Sequence, residues 1–587
     1  MKTIRLFTII CLLAVLNIQS SEAKTNASNQ FEYNGVFYQV IANTNKTVWV
    51  VTPYQKPSNW YEYFQGMVNI PATVSYQGEN YTVTGIDHEV FGGQKKLTTI
   101  VIPKTVEIIS YRAFKGCTSL KSIVFASDGV LKTIEREAFM TCENLTSVNL
   151  PSSLTYVGED VFHDCTNLKS VKGGGNVEIF DSNAFQGCIS LTEFIFPKSV
   201  KKIGNYAFWN CSALRTVTMN EGLEIIGNDA FLQCKALENL HISNTVKEIG
   251  WEAFRMCTNL TTVEIPNSVV KMDYGVFRYC TWLKNVKLST SLESIPGWAF
   301  EQTSLTSIEI PNSVKIIMPY AFRDCQYLEN VNWGKGLIEI GDQAFQSTNL
   351  KVLKLPEPLN KIGGAAFCKC ENLAEVTIPH TVIQITDLAF EDCKKLKTVY
   401  NLATVPQSIT YTNCPFTHCD NPVNVHVYKG FKDVYVKEIG WEQAINNNIV
   451  RITDDIPAYK AISITIDNAP YYLGIGEVGI ATATILPENV FTHELSWSSS
   501  DDTILYIEEF TGQYVGLSKG NVTITATATD GSGVKGTAKV YVNEQTGIDE
   551  PYEKSNNSKV LYNLHGQQLT KPAKGISIIN GKKIIIR

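Results

Sequence analysis

Apolar residues recur through the middle of the chain at a spacing that barely changes. A Phe that follows Ala or Val returns after 22 or 23 residues, or once after 25, over fourteen units. A Leu follows each Phe by five or six residues. This constant phase predicts an array of repeats in which each unit is one coil. The Phe residues are Phe91, Phe114, Phe139, Phe162, Phe185, Phe208, Phe231, Phe254, Phe277, Phe300, Phe322, Phe345, Phe367 and Phe390.

The pattern inside one unit, residues 142–162, predicts how a coil folds. Leu145, Val148 and Leu150 match the L-x-x-L-x-L strand of a leucine-rich repeat. Pro151 ends the strand because its nitrogen cannot donate to a ladder. The unit has no room for a strand plus a long helix, and one coil cannot bury its apolar face alone. The predicted fold class is therefore mainly β, with a solenoid of about 14 coils of 22–25 residues followed by an Ig-like β-sandwich.

The repeats resemble a known family. The motif I-P-x-S-V-x-x-I-G-x-x-A-F-x-x-C-x-x-L, present with small departures at residues 265–283, is similar to the BspA-type leucine-rich repeats of bacterial surface proteins, including those of Bacteroidetes. The resemblance covers residues 89–413. It implies a surface or secreted adhesin that binds host proteins or other cells, and it brings no catalytic residue.

The first 23 residues have the features of a signal peptide. Lys2 and Arg5 form a basic start, residues 6–18 are an apolar run, and Ser21 and Ala23 are small residues placed for cleavage. The run is too short for a membrane anchor. We expect an exported protein without a membrane span, located at the cell surface or outside the cell and associated with the outer membrane.

Two segments, residues 24–88 and 414–456, are predicted to cap the solenoid, because its end coils would otherwise leave an apolar face in water. The first is predicted as strands with turns at Asn34-Gly35 and Gln77-Gly78. In the second the pattern predicts a strand at 423–428, a helix at 431–444, a strand at 448–452 and a linker at 454–457.

Residues 459–543 have more Thr, Val and Ile, and their short strands at regular intervals predict a β-sandwich. The runs 495–500 and 520–528 resemble the bacterial immunoglobulin-like group 2 domain, which implies a spacer or binding module on a cell surface. A polar linker at 544–558 follows. Residues 559–587 are predicted as two or three strands, and they resemble the C-terminal sorting domain of type IX secretion in Bacteroidetes. That likeness implies an export address.

Composition and charge narrow the function classes. The 587 residues are 44% hydrophobic and 18% charged, which excludes wholesale disorder and collagen. The net charge of −6 gives no basic field, so nucleic acid is not expected as a partner. Fifteen Cys are too few for a disulfide scaffold in a chain of this length.

The Cys residues nevertheless follow the repeat. Eleven of them lie three residues after a repeat Phe, a position predicted to be a column of small buried hydrophobic side chains. The units of Phe300 and Phe345 lack this Cys and are one residue shorter, which predicts that the position is deleted there. The eleven are Cys117, Cys142, Cys165, Cys188, Cys211, Cys234, Cys257, Cys280, Cys325, Cys370 and Cys393.

Two motifs suggest chemistry, but neither predicts an enzyme. Residues 474–479 read G-x-G-x-x-G, but a strand pattern follows where a dinucleotide site needs a helix, so a turn is predicted. Cys414, His418 and Cys419 fit either a local disulfide or a zinc site, and both stay open. No catalytic, cofactor-binding or metal-binding residue is predicted.

The coil surface offers two candidate binding features. In the strand register, two side chains per coil face outward, and one of these rows includes His241, Glu264, Lys287 and Glu309, whose opposite charges largely cancel. Large aromatic residues also cluster around the Phe steps of the middle coils, which favours either packing between coils or an exposed binding stripe. They are Tyr206, Trp209, Trp251, Tyr274, Tyr279, Trp282, Trp298, Tyr320 and Tyr327, of which Trp251, Tyr274, Trp298 and Tyr320 are the candidate binding residues.

We therefore expect an exported adhesin that recognises host or bacterial surface macromolecules, including extracellular matrix, through the solenoid. The alternative is a surface protein that captures glycans with the aromatic residues. The aromatic faces suit both kinds of partner, because Trp and Tyr anchor protein interfaces and also offer flat apolar surfaces.

Overall fold

The computed structural model of the protein describes residues 29–42, 44–409, 413–419, 422–486, 490 and 492–544, and the backbone of four strands between residues 561 and 586. The predicted signal peptide and nearly all of the predicted linker at 544–558 lie outside the described residues. The chain divides into two compact units. Of the described residues, the first holds those up to 399 with 407–423 and 439–451, and the second holds those in 400–406, 424–438 and from 452 onward.

The fold is mainly β with 4% helix, and the repeat region forms a β-solenoid of about 16 turns, which confirms the predicted fold class. Each coil has a strand of three to seven residues and then, in most coils, a strand of two. The first strands are Lys96–Ile102, Ser122–Phe125, Ser147–Leu150, Ser170–Gly173, Glu193–Ile195, Thr216–Thr218, Asn239–His241, Thr262–Glu264, Asn285–Lys287, Ser307–Glu309, Asn330–Asn332, Val352–Lys354, Glu375–Ile378 and Thr398–Asn401. The second strands are Ile108–Ile109, Thr133–Ile134, Tyr156–Val157, Ile179–Phe180, Lys202–Ile203, Ile225–Ile226, Glu248–Ile249, Lys271–Met272, Ser294–Ile295, Ile316–Ile317, Glu339–Ile340, Lys361–Ile362 and Gln384–Ile385.

Where the strands of successive coils pair, they do so in parallel and in repeat register, and both ladders are interrupted between some coils, as between Lys271–Met272 and Ser294–Ile295. Val263 pairs with Val286 in one ladder, and Ile249 pairs with Met272 in the other. In the strand Thr262–Glu264 the central side chain is buried and its two neighbours are exposed, as the alternation of a half-buried strand requires. The predicted outward-facing rows are therefore present on the first strands.

The repeat Phe residues form a continuous column of stacked rings inside the solenoid. Each is fully buried, and neighbouring centroids are 4.8 to 5.8 Å apart with planes within 20° of parallel. The column continues one step beyond the prediction, because Phe416 stacks on Phe390 at 5.6 Å. The Phe spacing missed this coil since Pro415, rather than Ala or Val, precedes its Phe.

The backbone around each Phe has a conformation that the side-chain pattern did not predict. The residues two before and two after the Phe have positive φ in nearly every coil, as at Asp229 (φ 53) and Gln233 (φ 61) around Phe231. The N–H groups of these three residues then all donate to the next coil, to the carbonyls of Trp251, Ala253 and Arg255 at 2.7 to 2.9 Å. Left-handed backbone costs an L-residue roughly 1–2 kcal/mol, and these three bonds per coil offset it.

The Cys column is buried and links neighbouring coils. Each thiol donates to the carbonyl of the Phe in the preceding coil, as Cys234 does to Phe208 at 3.2 Å, and all eleven predicted members are fully buried. The predicted deletion in the two shorter coils is wrong, because Thr303 and Thr348 occupy the same position and each accepts or donates a hydrogen bond with the next Cys. The missing residue lies between this position and the Leu.

Burial raises the pKa of the thiols in this column, for Cys117 to about 12. The thiolate, which is the reactive form, is therefore suppressed at neutral pH. All fourteen Cys among the described residues are free, and thirteen of them are buried.

The N-terminal strands extend both ladders of the solenoid. Gln65–Asn69 pairs in parallel with Lys96–Ile102, and Glu79–Ile86 pairs in parallel with Ile108–Ile109. The two predicted hairpin turns are confirmed, since Asn34, Gly35, Gln77 and Gly78 all have positive φ. The remaining elements are the strands Gln30–Tyr33, Val36–Ala42, Thr47–Val50 and Thr73–Tyr76 and the 3-10 helix Trp60–Glu62.

The segment after the last Phe contains the strand Val423–Tyr428, the helices Lys432–Lys437 and Ile439–Asn446, and the strand Val450–Ile456. The single predicted helix is wrong, because Glu438 has an extended backbone that divides it in two. The predicted linker at 454–457 is also wrong in part, since the strand runs to Ile456.

The Ig-like region has nine strands in its own sheets, with Trp497, Ile524 and Val540 in its core. The G-x-G-x-x-G segment is a turn between strands, as predicted. The nine strands are Ser463–Ile466, Tyr472–Gly474, Val478–Ile480, Ala483–Leu486, Leu495–Ser499, Leu505–Ile507, Gln513–Gly516, Gly520–Ala528 and Lys535–Asn543.

The C-terminal tail contains four short antiparallel strands, one or two more than predicted. They are Leu561–Asn563, Gln568–Leu569, Gly575–Ile579 and Lys582–Ile586.

Replacing Phe231 by Ala should open the solenoid locally. The ring is fully buried between Phe208 and Phe254, and truncation of such a side chain costs about 3–5 kcal/mol. Because coils contact only their neighbours, amide hydrogen exchange should accelerate within residues 208–254. Phe510→Ala is the control, since that ring is 73% exposed. Equal exchange in both variants contradicts a structural role for the column.

Thiol counting tests the Cys column. The native chain should react slowly with a thiol reagent, because the column is buried and its thiols are protonated. After denaturation without reductant, about as many thiols as the fourteen free Cys of the described residues should become reactive. A low count in the denatured chain would show that the column is oxidised.

Candidate functional site

Four aromatic side chains occupy nearly equivalent positions in four successive coils of the first unit. Trp251 and Tyr274 stand three residues before the Phe of their coil, and Trp298 and Tyr320 stand two before it. Trp298 and Tyr320 stack with centroids 5.0 Å apart and planes 6° apart, and Tyr274 lies 5.8 Å from Trp298. We call these four residues the aromatic stripe.

Packing between coils and exposure to solvent are both found, for different members of the stripe. Trp298 and Tyr320 are half-buried and pack between coils, with their backbones in the left-handed region (φ 56 and 64). Trp251 and Tyr274 are exposed, by 54% and 41%. The stripe therefore consists of two rings that stack between coils, Trp298 and Tyr320, and two exposed rings, Trp251 and Tyr274.

A row of charged side chains lies beside the stripe, at the position that directly follows each Phe. It consists of Arg255, Arg278, Glu301 and Arg323, one from each of the same four coils. The Arg278 guanidinium lies 5.9 Å from the Trp298 ring centroid, and that of Arg323 lies 5.0 Å from Tyr320. A cation over an aromatic face is attracted by the negative face of the ring. We call these four residues the arginine row.

Carboxylates hold the arginine row in place. Glu301 is completely buried and bridges Arg278 and Arg323. Glu252, two residues before its Phe, contacts Arg255 at 2.8 Å and Arg278 at 3.6 Å. Arg and Glu thus alternate across four coils, which fixes the guanidinium groups beside the aromatic rings.

Charges next to this network shift two pKa values in the same region. Burial, and the nearby carboxylate of Glu252, raise the pKa of Asp229. Asp229 in turn raises the pKa of the Tyr206 hydroxyl, with which it shares a hydrogen bond. Both shifts favour the protonated form of these groups.

The predicted polar row lies apart from the stripe, on the first strands of the coils. His241, Glu264, Lys287 and Glu309 are all exposed there. Lys287 donates to Glu264 at 2.6 Å, and this hydrogen bond lowers the pKa of Glu264. The opposite charges of Lys287 and Glu264, which were expected from the sequence to cancel, are thus in direct contact. Exposed ion pairs of this kind add little to the stability of a fold.

The structure therefore divides the eight predicted binding residues into two groups of four. The arginine row and Glu252 were not predicted from the sequence, although a signal was present. Each row member sits at a fixed offset from a repeat Phe, so aligning the units on that Phe places the four in one column.

The motif Cys414, His418 and Cys419 does not converge as a metal site. Cys414 is buried, whereas Cys419 donates to the Phe390 carbonyl at 3.1 Å. The exposed His418 instead faces Glu391, with Nδ1 and Oε1 3.5 Å apart. Cys414 and Cys419 are both free thiols.

Comparison with protein families identifies both parts of the chain. Six copies of the model for the BspA type leucine-rich repeat region match residues 84–215, 203–315 and 293–422, which together cover more than half of the 587 residues. The model of the bacterial Ig-like domain (group 2) matches residues 463–539. Both are typically non-enzymatic binding modules, and no catalytic family is indicated.

Individual relatives match smaller parts or match loosely. An uncharacterized protein of Clostridium acetobutylicum is 30% identical over 160 residues, which are 26% of this chain and 39% of that protein. This chain therefore spans well under half of that relative. A leucine-rich repeat protein from Bacteroides ovatus is 27% identical with a TM-score of 0.49, covering 63% of this chain and 94% of that one. A leucine rich cell surface protein from Faecalibacterium prausnitzii is 23% identical with a TM-score of 0.32, over the same shares.

Among the described residues, no helix has the length and apolar character needed to cross a bilayer.

Removing the buried carboxylate should destabilise the middle coils. In Glu301→Gln, Arg278 and Arg323 lose their shared anion, and breaking a buried ion pair in this way costs about 3–5 kcal/mol. We expect faster hydrogen exchange in residues 277–345 and a lower urea midpoint. Glu309→Gln, at an exposed carboxylate, is the matched control and should change stability by less than about 0.5 kcal/mol. Equal midpoints for the two variants contradict a structural role for Glu301.

Proposed function

Because this chain belongs to the BspA type leucine-rich repeat family, we propose that it is an exported adhesin, at the cell surface or secreted, that binds host or bacterial surface macromolecules through its solenoid. Repeats of this type are typical of surface or secreted proteins, and their fold is associated with protein binding. The observation that carries the proposal is the aromatic stripe with the arginine row beside it.

The composition of this surface favours a protein partner. Trp, Tyr and Arg supply most of the binding energy at protein interfaces, and here they come from four adjacent coils. Trp251 and Tyr274 offer open apolar faces, while stacking and ion pairs already order Trp298, Arg278 and Arg323. Side chains that are ordered before binding lose less conformational entropy when the partner arrives.

The polar row on the first strands suits the outer part of an interface. Its side chains are exposed and partly paired with one another, so they contribute little energy to binding. They can still favour one orientation of a charged partner, because electrostatic complementarity acts mainly on specificity and association rate.

Glycan capture by the same stripe is the second candidate function. The exposure of Trp251 and Tyr274 favours it, since a sugar ring can stack its C–H face on an open aromatic ring. The arginine row argues for the protein partner, because three guanidinium groups beside aromatic rings match the anchors of protein interfaces.

Export and attachment form the remaining part of the proposal. The signal-peptide pattern of residues 1–23 supports secretion. The tail at 559–587, with its resemblance to a type IX sorting domain, supports a second export step and a cell surface or outer-membrane location.

A binding comparison tests the proposed surface. Extracellular-matrix proteins and glycans are immobilised, and the full mature chain is compared with two triple variants. Replacing Trp251, Tyr274 and Trp298 together by Ala should reduce binding to the captured protein at least tenfold, because the aromatic anchors are lost. Replacing His241, Glu264 and Lys287 together by Ser is the matched control and should reduce it less than threefold. Circular dichroism and thermal unfolding check that both variants fold.

Three other outcomes of this binding comparison would lead to different conclusions. Loss of binding only in the variant of the polar row would place the interface on the strands and contradict the role of the stripe. Binding to glycans alone, lost in the stripe variant, would support the second candidate. Full binding by both variants contradicts the solenoid surface proposed here.

A further inference from the structure

One position of the coil carries a small or polar residue in almost every coil. In two coils of the middle region it carries a large aromatic residue instead. It is the residue directly before the repeat Leu, and among the early coils it is Ser119, Asn144, Asn167, Ser190, Ala213, Ala236 and Asn259. In the coils of Phe277 and Phe322 it is Trp282 and Tyr327. These side chains are 62% and 61% exposed, so they are not needed to fill the core.

The coil between these two aromatic residues is one of the two short ones. Leu305 follows Phe300 by five residues rather than six, and Ser304 occupies the position before the Leu. A missing residue and a small side chain therefore coincide between two large rings. The result is a hollow of about 520 Å³, lined by Thr281, Trp282, Lys284, Ser304, Thr306 and Tyr327. We call it the Trp282–Tyr327 notch.

A second hollow of about 460 Å³ continues from the notch and shares Thr281, Ser304 and Tyr327 with it. It adds Gln302, Thr303, Asp324 and Gln326. Among the described residues, the side chains of Gln302, Gln326 and Thr306 form no hydrogen bond, so their donors and acceptors remain available. The notch and the second hollow together thus have aromatic walls and a floor that can both donate and accept hydrogen bonds.

The scaffold holds the floor in position. The Ser304 hydroxyl donates to the Thr281 carbonyl at 2.6 Å, and the Gln302 N–H donates to the Arg323 carbonyl at 2.9 Å. Lys284 and Thr306 directly precede the strands Asn285–Lys287 and Ser307–Glu309. A site on such a rigid frame loses little entropy when it binds.

We propose that the Trp282–Tyr327 notch binds a neutral hexopyranose ring within a surface glycan. A pyranose presents an apolar C–H face, which an exposed indole or phenol ring can cover, and a rim of hydroxyl groups that both donate and accept hydrogen bonds. The hydroxyl, amide and charged groups of the floor match that rim. The volume lies in the range of about 300–1,000 Å³ that is typical of small-ligand sites.

Charge and chemistry disfavour other occupants. The notch and the adjoining hollow together carry one cationic side chain, Lys284, and one anionic side chain, Asp324, so the pair of hollows offers no net charge to a phosphate or an acidic sugar. A proline-rich peptide also packs between aromatic rings, but its rings donate no hydrogen bonds to a polar floor. The notch shares no residue with the aromatic stripe, so this inference goes beyond the function proposed above and does not depend on it.

The test uses the full mature chain and soluble neutral trisaccharides: mannotriose, galactotriose, cellotriose and N-acetylchitotriose. Sialyllactose and a ten-residue polyproline peptide are the comparison ligands. Isothermal titration should detect binding of at least one neutral trisaccharide and weaker or no binding of the comparison ligands. No binding of any neutral trisaccharide overturns the proposal, and so does preferential binding of sialyllactose or of the peptide.

Variants locate the site. Trp282→Ala and Tyr327→Ala should each weaken trisaccharide binding at least tenfold, whereas Tyr327→Phe should retain it because the ring face remains. Ser304→Tyr fills the gap between the walls and should abolish binding without removing either ring. Phe510→Ala, at an exposed ring of the Ig-like region, and Asn259→Ala, at the equivalent position one coil before Trp282, are the controls and should bind normally. Retained binding in folded Trp282→Ala, or equal loss in Asn259→Ala, overturns the assignment.

Discussion

The parallel register between neighbouring coils is the constraint on which the rest of this structure depends. Around nearly every Phe, the residues two before and two after it have positive φ, and three N–H groups per coil donate to the next coil. That ladder holds successive Phe rings within 5.8 Å of one another and brings each thiol within hydrogen-bond distance of the preceding Phe carbonyl. A side chain at one offset from the Phe therefore lies beside the side chain at the same offset in the next coil.

The surface chemistry follows from this register. Because the offset from the Phe is preserved, residues of one type at the same offset form a row across several coils, as in the aromatic stripe and the arginine row. For the same reason, a coil that is one residue shorter than its neighbours leaves a gap at the surface. The coil of Phe300 keeps its Phe, its buried Thr303 and its Leu305, so the core is continuous while a gap opens between Trp282 and Tyr327.

Much of this fold could be predicted because its signals are periodic. The spacing of Phe and Leu predicted the solenoid. The alternation in the first strands predicted the exposed rows, and the glycine turns predicted the N-terminal hairpins. Predictions failed where the local backbone conformation determines where an element begins or ends. Phe416 follows Pro rather than Ala, Glu438 breaks a helix through its own extended backbone, and the left-handed positions are mostly not Gly. The site was predicted only in part, since residue lists do not show that Glu301 is buried between two Arg side chains.

Exposure of individual aromatic residues tests the register most directly, because the offset of each residue from its Phe determines whether its ring is exposed. Hydroxyl-radical footprinting of the native chain measures this exposure residue by residue. We expect rapid oxidation of Trp251, Trp282 and Tyr327, slower oxidation of Trp298, and almost none of Trp441, which is fully buried. Similar rates for Trp282 and Trp441, or protection of Trp282 and Trp251 in the unliganded chain, would contradict the placement of the stripe and the notch on the surface.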